Sequence, residues 1–254
     1  MAEEEEYVSD SEDSEKYYIV NSSHQLFLDL RDKFYSRVKP HLDPNSFRGM
    51  ALPSPIIFEA QLIQASDDRF SLRSDLEILI RKNIIRCFNL FISHYSSERY
   101  FMLEIDYIDT LERMNDKTIN SFLNMIKEKR YISPTMSSKT LEEYGFTQYD
   151  IKYLINKKIL LLNQGKGQQY SMSIPSSANV IASISSGRRA LVNYLSKQKN
   201  KITERSNVER QNIKDSIFYG EFHVQELLGL GVFEEINIPG RPPQLILKRD
   251  PYPK

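Results

Sequence analysis

The chain has 254 residues, 40% of them apolar and 27% charged, enough to bury a core in one large domain or in two to three small ones. Its formal net charge is zero, and its single cysteine, Cys87, excludes an internal disulfide framework and a cysteine-based zinc site. No apolar run reaches the roughly 18 residues of a membrane span, and the acidic start carries no secretory pattern, so a reducing compartment is expected.

Residues 1–16 hold eight acids and one base, Lys16; removing them leaves 33 bases and 26 acids, a net charge of +7. This segment is too poor in apolar side chains to offset the entropy of ordering, so residues 1–22 are expected to be a disordered acidic tail. Ser9, Ser11 and Ser14 lie among its acids and are candidate phosphorylation sites. Residues 23–50 are expected to form a helix and a linker.

From residue 51 onward the apolar pattern recurs. The segments DLEILIRKNIIRC (75–87), DIKYLINKKILLL (150–162) and HVQELLGLGVFEE (223–235) align without gaps, with starts 75 and 73 residues apart. Leu76/Ile151/Val224, Leu79/Leu154/Leu227 and Ile80/Ile155/Leu228 fall on one helical face. Ile84/Ile159/Val232 and Ile85/Leu160/Phe233 follow a polar or Gly break and begin a strand. Each segment therefore reads as helix, tight turn, strand, and a fixed period of this size reads as tandem copies of one small domain.

The flanks of each copy add further elements. In the first, Ile56, Ile57, Ala60 and Ile63 predict a helix after Pro53 and Pro55, and a second helix is expected from Ser71, with a capping box from Ser74 to Glu77. Strands are expected over 84–91 and 100–105 around a polar loop, 93–98. In the second, Ile119, Phe122, Leu123 and Ile126 predict a helix, Thr147 with Asp150 caps the next, and strands over 159–162 and 170–174 flank Gly165–Lys166–Gly167. In the third, helices are expected over 188–195, from Ser206 with Glu209, and over 222–228, then strands over 232–236 and 244–248 around Pro239–Gly240–Arg241. Helices followed by a two-stranded hairpin make the winged-helix plan, in which the last helix enters the major groove. A unit this small is marginal alone, and no long Gly/Ser/Pro linker separates the copies, so they are expected to pack side by side.

Residues 151–203 contain nine bases (Lys152, Lys157, Lys158, Lys166, Arg188, Arg189, Lys197, Lys199, Lys201) and no Asp or Glu. A field of one sign draws polyanions, so a nucleic-acid surface is expected here. Enzyme signatures are missing: no GxGxxG, no GxxxxGK[ST], no kinase-type catalytic carboxylates and no HExxH among the four histidines. His223 reads as a partly buried structural residue and Cys87 as a buried small hydrophobe. Tyr153, Tyr170 and Tyr194 are expected to pack rather than to stack on bases.

Taken in order, ALPSPIIFEAQLIQASDDRFSLRSDLEILIRKNIIRCFNL, YGFTQYDIKYLINKKILLL, SSGRRALVNYLSKQK and GEFHVQELLGLGVFEE resemble the family named after serine/threonine-protein kinase 19, over about residues 50–250. The resemblance implies three winged-helix domains that bind DNA and no true kinase. It also implies a role in transcription-coupled nucleotide excision repair, bridging the stalled polymerase assembly to the repair helicase complex. The family's DNA contact matches Gly187–Arg188 and the helix running on through Lys197 and Lys199. Ser196 and Ala182 stand where the family carries bases, so either the contact is weaker here or neighbours such as Lys201, Arg205 and Arg210 compensate.

The expected fold is mainly α with small β-hairpins (α+β), three tandem winged-helix domains over 51–114, 115–180 and 181–254 packed into one array. The expected function is a nuclear, chromatin-associated adaptor, monomeric and non-enzymatic. It binds double-stranded DNA mainly through phosphates, with Arg188, Arg189, Lys197, Lys199 and Lys201 along one helix and Arg205 and Arg210 beside it. No cofactor, metal or membrane is expected. The competing readings are a winged-helix scaffold docking an acidic protein partner and, disfavoured by the missing motifs, a protein kinase.

Overall fold

A computed structural model describes residues 19–35, 55–93, 96–129, 133–163, 169–175 and 177–249. The acidic tail through residue 18, most of the expected linker, Pro53 and the turn Gly165–Lys166–Gly167 lie outside these residues.

The chain opens with α1 (Ser22–Tyr35), and three units of one design follow. The first is β1 (Ile57–Phe58), α2 (Glu59–Ala65), α3 (Arg69–Arg81) and the hairpin β2 (Ile85–Ser93) and β3 (Ser96–Leu103). Two helices, α4 (Glu104–Glu112) and α5 (Lys117–Lys129), lead to the second: β4 (Thr135–Ser137), α6 (Ser138–Glu143), α7 (Gln148–Asn156), β5 (Leu160–Leu162) and β6 (Gln169–Met172). The helix α8 (Ser177–Ser196) precedes the third: β7 (Ile202–Glu204), α9 (Arg205–Glu209), α10 (Gly220–Gly229), β8 (Phe233–Ile236) and β9 (Gln244–Leu247). In each unit the three strands form one antiparallel sheet in the order first, third, second. The architecture is thus α+β, with small three-stranded sheets among the helices.

The repeated segment is the helix-to-strand turn of each unit, built the same way three times. Asn83, Lys158 and Gly231 take left-handed φ values of 53°, 61° and 65°. The next residue's N–H reaches back to the helix: Ile84 to the Leu79 carbonyl, Ile159 to Leu154 and Val232 to Leu227, each at 3.0 Å. The left-handed residues bond to Ile80, Ile155 and Leu228. This is a Schellman closure, and its apolar pairs (Leu79, Leu154 and Leu227 against the strand-opening residues) are the positions that align in sequence.

Several expected elements are displaced. Ile57 lies in β1, paired with Phe101, and not in a helix; two β-branched residues after Pro55 favour extended backbone. Helix α3 begins at Arg69 because Asp68 caps it, accepting from the Phe70 and Ser71 amides at 2.9 and 3.2 Å, so Ser74 and Glu77 form no box. Ile105 belongs to α4. Helix α8 runs across the boundary read at 180/181. Helix α9 starts at Arg205 with no side-chain cap, and Glu209 takes Arg205 instead. The capping box of Thr147 and Asp150 is present as expected.

The units share their interiors. Ile217, Phe218 and Phe222 join the large core of the first two units, while Leu191, Leu195, Val208, Leu227 and Leu245 belong to a smaller core in the third. Phe218 and Phe222 stack at 3.9 Å, and Phe222 meets Phe34 of α1 edge-on. Helix α10 packs on α2 so closely that a Cβ on Gly229 would stand 1.8 Å from the Ala60 carbonyl oxygen. Between the first and second units, buried Arg86 pairs with Glu104 and points Nη1 at Met172 Sδ, 3.5 Å away. Tyr107 donates to the Ser173 carbonyl at 3.4 Å.

Candidate nucleic-acid interface

Arg188, Arg189, Lys197, Lys199 and Lys201 are expected along one helix, which is α8. It stops at Ser196, with the Lys197 and Gln198 amides closing on the Tyr194 and Leu195 carbonyls. Asn200 and Lys201, at φ 56° and 55°, then turn the chain into β7. Lys197, Lys199 and Lys201 therefore sit on this turn and not along the helix. All three are exposed, and none makes an ion pair among the described residues. Arg210 caps the end of α9, is exposed, and lines a cleft with Lys33, Phe34, Tyr219 and Phe222. Arg189 is exposed on α8.

The other two expected contacts are engaged inside the protein. Arg188 is 4% exposed. It gives Nη1 to Glu98 Oε1 at 3.0 Å, Nη2 to the second Glu98 oxygen, and Nη2 also to Glu226 Oε1 at 2.6 Å. Glu98 lies on β3 and Glu226 on α10, so this guanidinium ties the hairpin of the first unit to the third. Burial works against charge on Glu226, yet facing Arg188 and nearby His223 hold its carboxyl below the ordinary value. The adjacent Gly187 leaves room for the His223 ring, whose atoms lie 2.1 Å from where a Cβ would be. His223 is fully buried and shares a hydrogen bond with Ser216 at 2.8 Å. The Gly187–Arg188 pair is thus a packing device, and the expectation of a DNA contact at Arg188 is corrected. Arg205 is half-buried between Glu209 and Glu235, bonded to each at 2.6 Å, and is neutralised in place.

The acid-free stretch also covers α7 from Ile151 onward. Its Ile151 and Leu154 face the core, while Gln148, Tyr149, Lys152 and Asn156 are exposed, followed by exposed Lys157 and Lys158. Asp150, the helix's own carboxylate, accepts from the Thr147 amide and hydroxyl at 2.9 and 2.6 Å. Gln148 Nε2 donates to Glu142 Oε1 at 2.7 Å, so an exposed carboxylate stands at the start of this helix.

Tyr170 is buried, Tyr153 donates to Asp116 at 2.8 Å and Tyr194 packs on the third unit's core. Cys87 is 5% exposed, and burial pushes its thiol up to about 11, away from nucleophilic chemistry at neutral pH. Among the described residues no cluster of three His, Cys, Asp or Glu is placed to hold a metal ion, and no helix is long and apolar enough to cross a membrane. No protein-family model matches the chain, and no curated protein matches it.

Proposed function

We propose that the chain is a DNA-binding adaptor of three winged-helix units, acting in the nucleus on chromatin. The carrying observation is the turn between α8 and β7, where Lys197, Lys199 and Lys201 are exposed without carboxylate partners among the described residues. Four acids of the same unit are matched inside the fold: Glu226 by Arg188, Glu209 and Glu235 by Arg205, and Glu234 by Lys248. The order helix, strand, helix, helix, hairpin, with the third strand central, supports the winged-helix reading of each unit. The likeness of the sequence to the serine/threonine-protein kinase 19 family supports a place in transcription-coupled nucleotide excision repair, beside the polymerase assembly and the repair helicase complex.

Each lysine that neutralises a phosphate releases a counterion, so three contacts weaken binding roughly 40-fold between 50 and 200 mM salt. The test is a gel-shift titration of the full chain against the variant Lys197→Glu/Lys199→Glu/Lys201→Glu. The variant is expected to lose duplex binding while its melting temperature stays nearly unchanged, since exposed charges contribute little to stability. If the unsubstituted chain shows no duplex affinity at 50 mM salt, the acidic-partner scaffold becomes the better reading.

A further inference from the structure

Buried titratable groups meet where α8 and α10 touch the hairpin of the first unit. Arg188 on α8 holds both oxygens of Glu98 on β3 and Oε1 of Glu226 on α10. One cation therefore faces two carboxylates, an excess of one negative charge, in a place where Arg188 and Glu226 are buried. A buried charge lacking a counter-charge is costly enough that a neighbouring group changes its protonation instead.

The next titratable group is His223, fully buried and three residues before Glu226 on α10. Its Nδ1 stands 4.0 Å from Glu226 Oε2, and its Nε2 is 2.8 Å from the Ser216 hydroxyl oxygen. The Phe218 amide donates to that oxygen at 3.1 Å, which leaves a second lone pair to accept an Nε2–H. Both ring nitrogens thus stand beside oxygens able to accept. The surroundings are otherwise apolar: the Phe222 ring lies edge-on at 5.3 Å, and Gly187 packs directly on the imidazole. At this separation in a low-dielectric interior, attraction between an imidazolium and a carboxylate is far stronger than in water.

Other charges on the elements around α10 are engaged away from the ring or face solvent. On α2, Glu59 is bonded to Arg99, and Gln61 is neutral. On α9, Arg205 bonds Glu209 and also Glu235 of β8. Glu234 of β8 pairs with Lys248, and Lys33 of α1 with Glu221. Arg189, Arg210, Lys214 and Asp215 are exposed.

We infer that His223 keeps its proton in the folded protein at neutral pH, and that this imidazolium completes a buried cluster of two cations and two carboxylates tying the third unit to the first. A histidine in water is half-charged at about pH 6.5, so above that pH the folded chain holds a proton that the unfolded chain has released. Its contribution is complete below about 6.5 and is lost as pH rises through the higher folded value. Glu226 acts in the opposite direction, so the tie is strongest between the two titrations. The inference does not depend on duplex binding.

The test is an NMR spectrum of the full chain carrying heavy nitrogen in its four histidines, with the His223 ring assigned by its loss in His223→Gln. At about pH 7.5, where a histidine in water is about 90% neutral, both ring nitrogens of His223 are expected to carry protons. Glu226→Gln leaves the cluster balanced by Arg188 and Glu98, and should turn the ring neutral at the same pH. If His223→Gln does not fold, that change in Glu226→Gln assigns the ring instead. The second readout is denaturant unfolding between about pH 7 and 9. There the folding equilibrium of the unsubstituted chain should fall more steeply than that of His223→Gln, by up to about tenfold per pH unit. A neutral His223 ring in the unsubstituted chain would overturn the inference. So would a ring that stays charged in Glu226→Gln, or equal slopes in the two unfolding series.

Discussion

Arg188 shows how one side chain's role depends on what lies opposite it. In the sequence it heads a basic run and reads as a phosphate contact; in the fold it is the cation between two carboxylates from other elements. Removing one member of a buried pair leaves its partner charged and unsolvated, at a cost of about 3–5 kcal/mol. Arg188→Met is therefore expected to lower the melting temperature by roughly 10 °C, and Arg188→Met/Glu226→Leu to recover much of the loss. Duplex affinity of the single variant, measured well below its melting point, should match the unsubstituted chain. A selective loss of DNA binding with unchanged stability would return Arg188 to the interface. Because the folded Glu226 carboxyl titrates below its ordinary 4.5, its contribution is complete above that pH and is lost as pH falls through the lowered value.

At the scale of elements, the helices with long apolar stripes were legible. Helix α5 carries Ile119, Phe122, Leu123 and Ile126 on one face, and α7 announces its start with Thr147 and Asp150. The strands β1, β4 and β7 were not, since two or three residues give no measurable period and their partners lie about 40 residues downstream. Two glycines near the end of α10 separate local from tertiary demands. Gly231 sits at φ +65° with open space around its Cβ direction, so Gly231→Ala should cost only backbone strain, about 1–2 kcal/mol. Gly229→Ala drives a methyl into the Ala60 backbone and should cost more, about 3 kcal/mol, by parting α10 from α2. Denaturant unfolding ranks the two, and loss of hydrogen-exchange protection in α2 identifies the second. Equal costs with α2 still protected would mean that the helices adjust without parting.

Across the whole molecule, the shared core and the ties at Arg86, Arg188 and Lys33–Glu221 make the three units interdependent. Calorimetry is expected to show one cooperative transition, and three separable ones would mean that these contacts are weak. The charge imbalance belongs to this scale too. Eight acids and one base in residues 1–16 give −7, which cancels the +7 of the remaining chain. An acidic segment competes with phosphates for the same lysines, so deleting residues 1–16 should tighten duplex binding at low salt. An unchanged dissociation constant at 50 mM salt would discard that competition.

By itself the sequence determined the threefold period, the helix–turn–strand at its centre and the asymmetry of charge, because these follow from local spacing, turn chemistry and composition. Tertiary structure alone decided which bases remain available. Lys197, Lys199 and Lys201 stay exposed on a turn, whereas Arg188 and Arg205 are drawn to carboxylates 30 to 90 residues away. It also decided that α10 is covered, since that depends on Gly229 meeting a backbone from another unit. Side-chain type sets what a residue is able to bind; only the packing of distant segments sets whether a partner inside the protein has already claimed it.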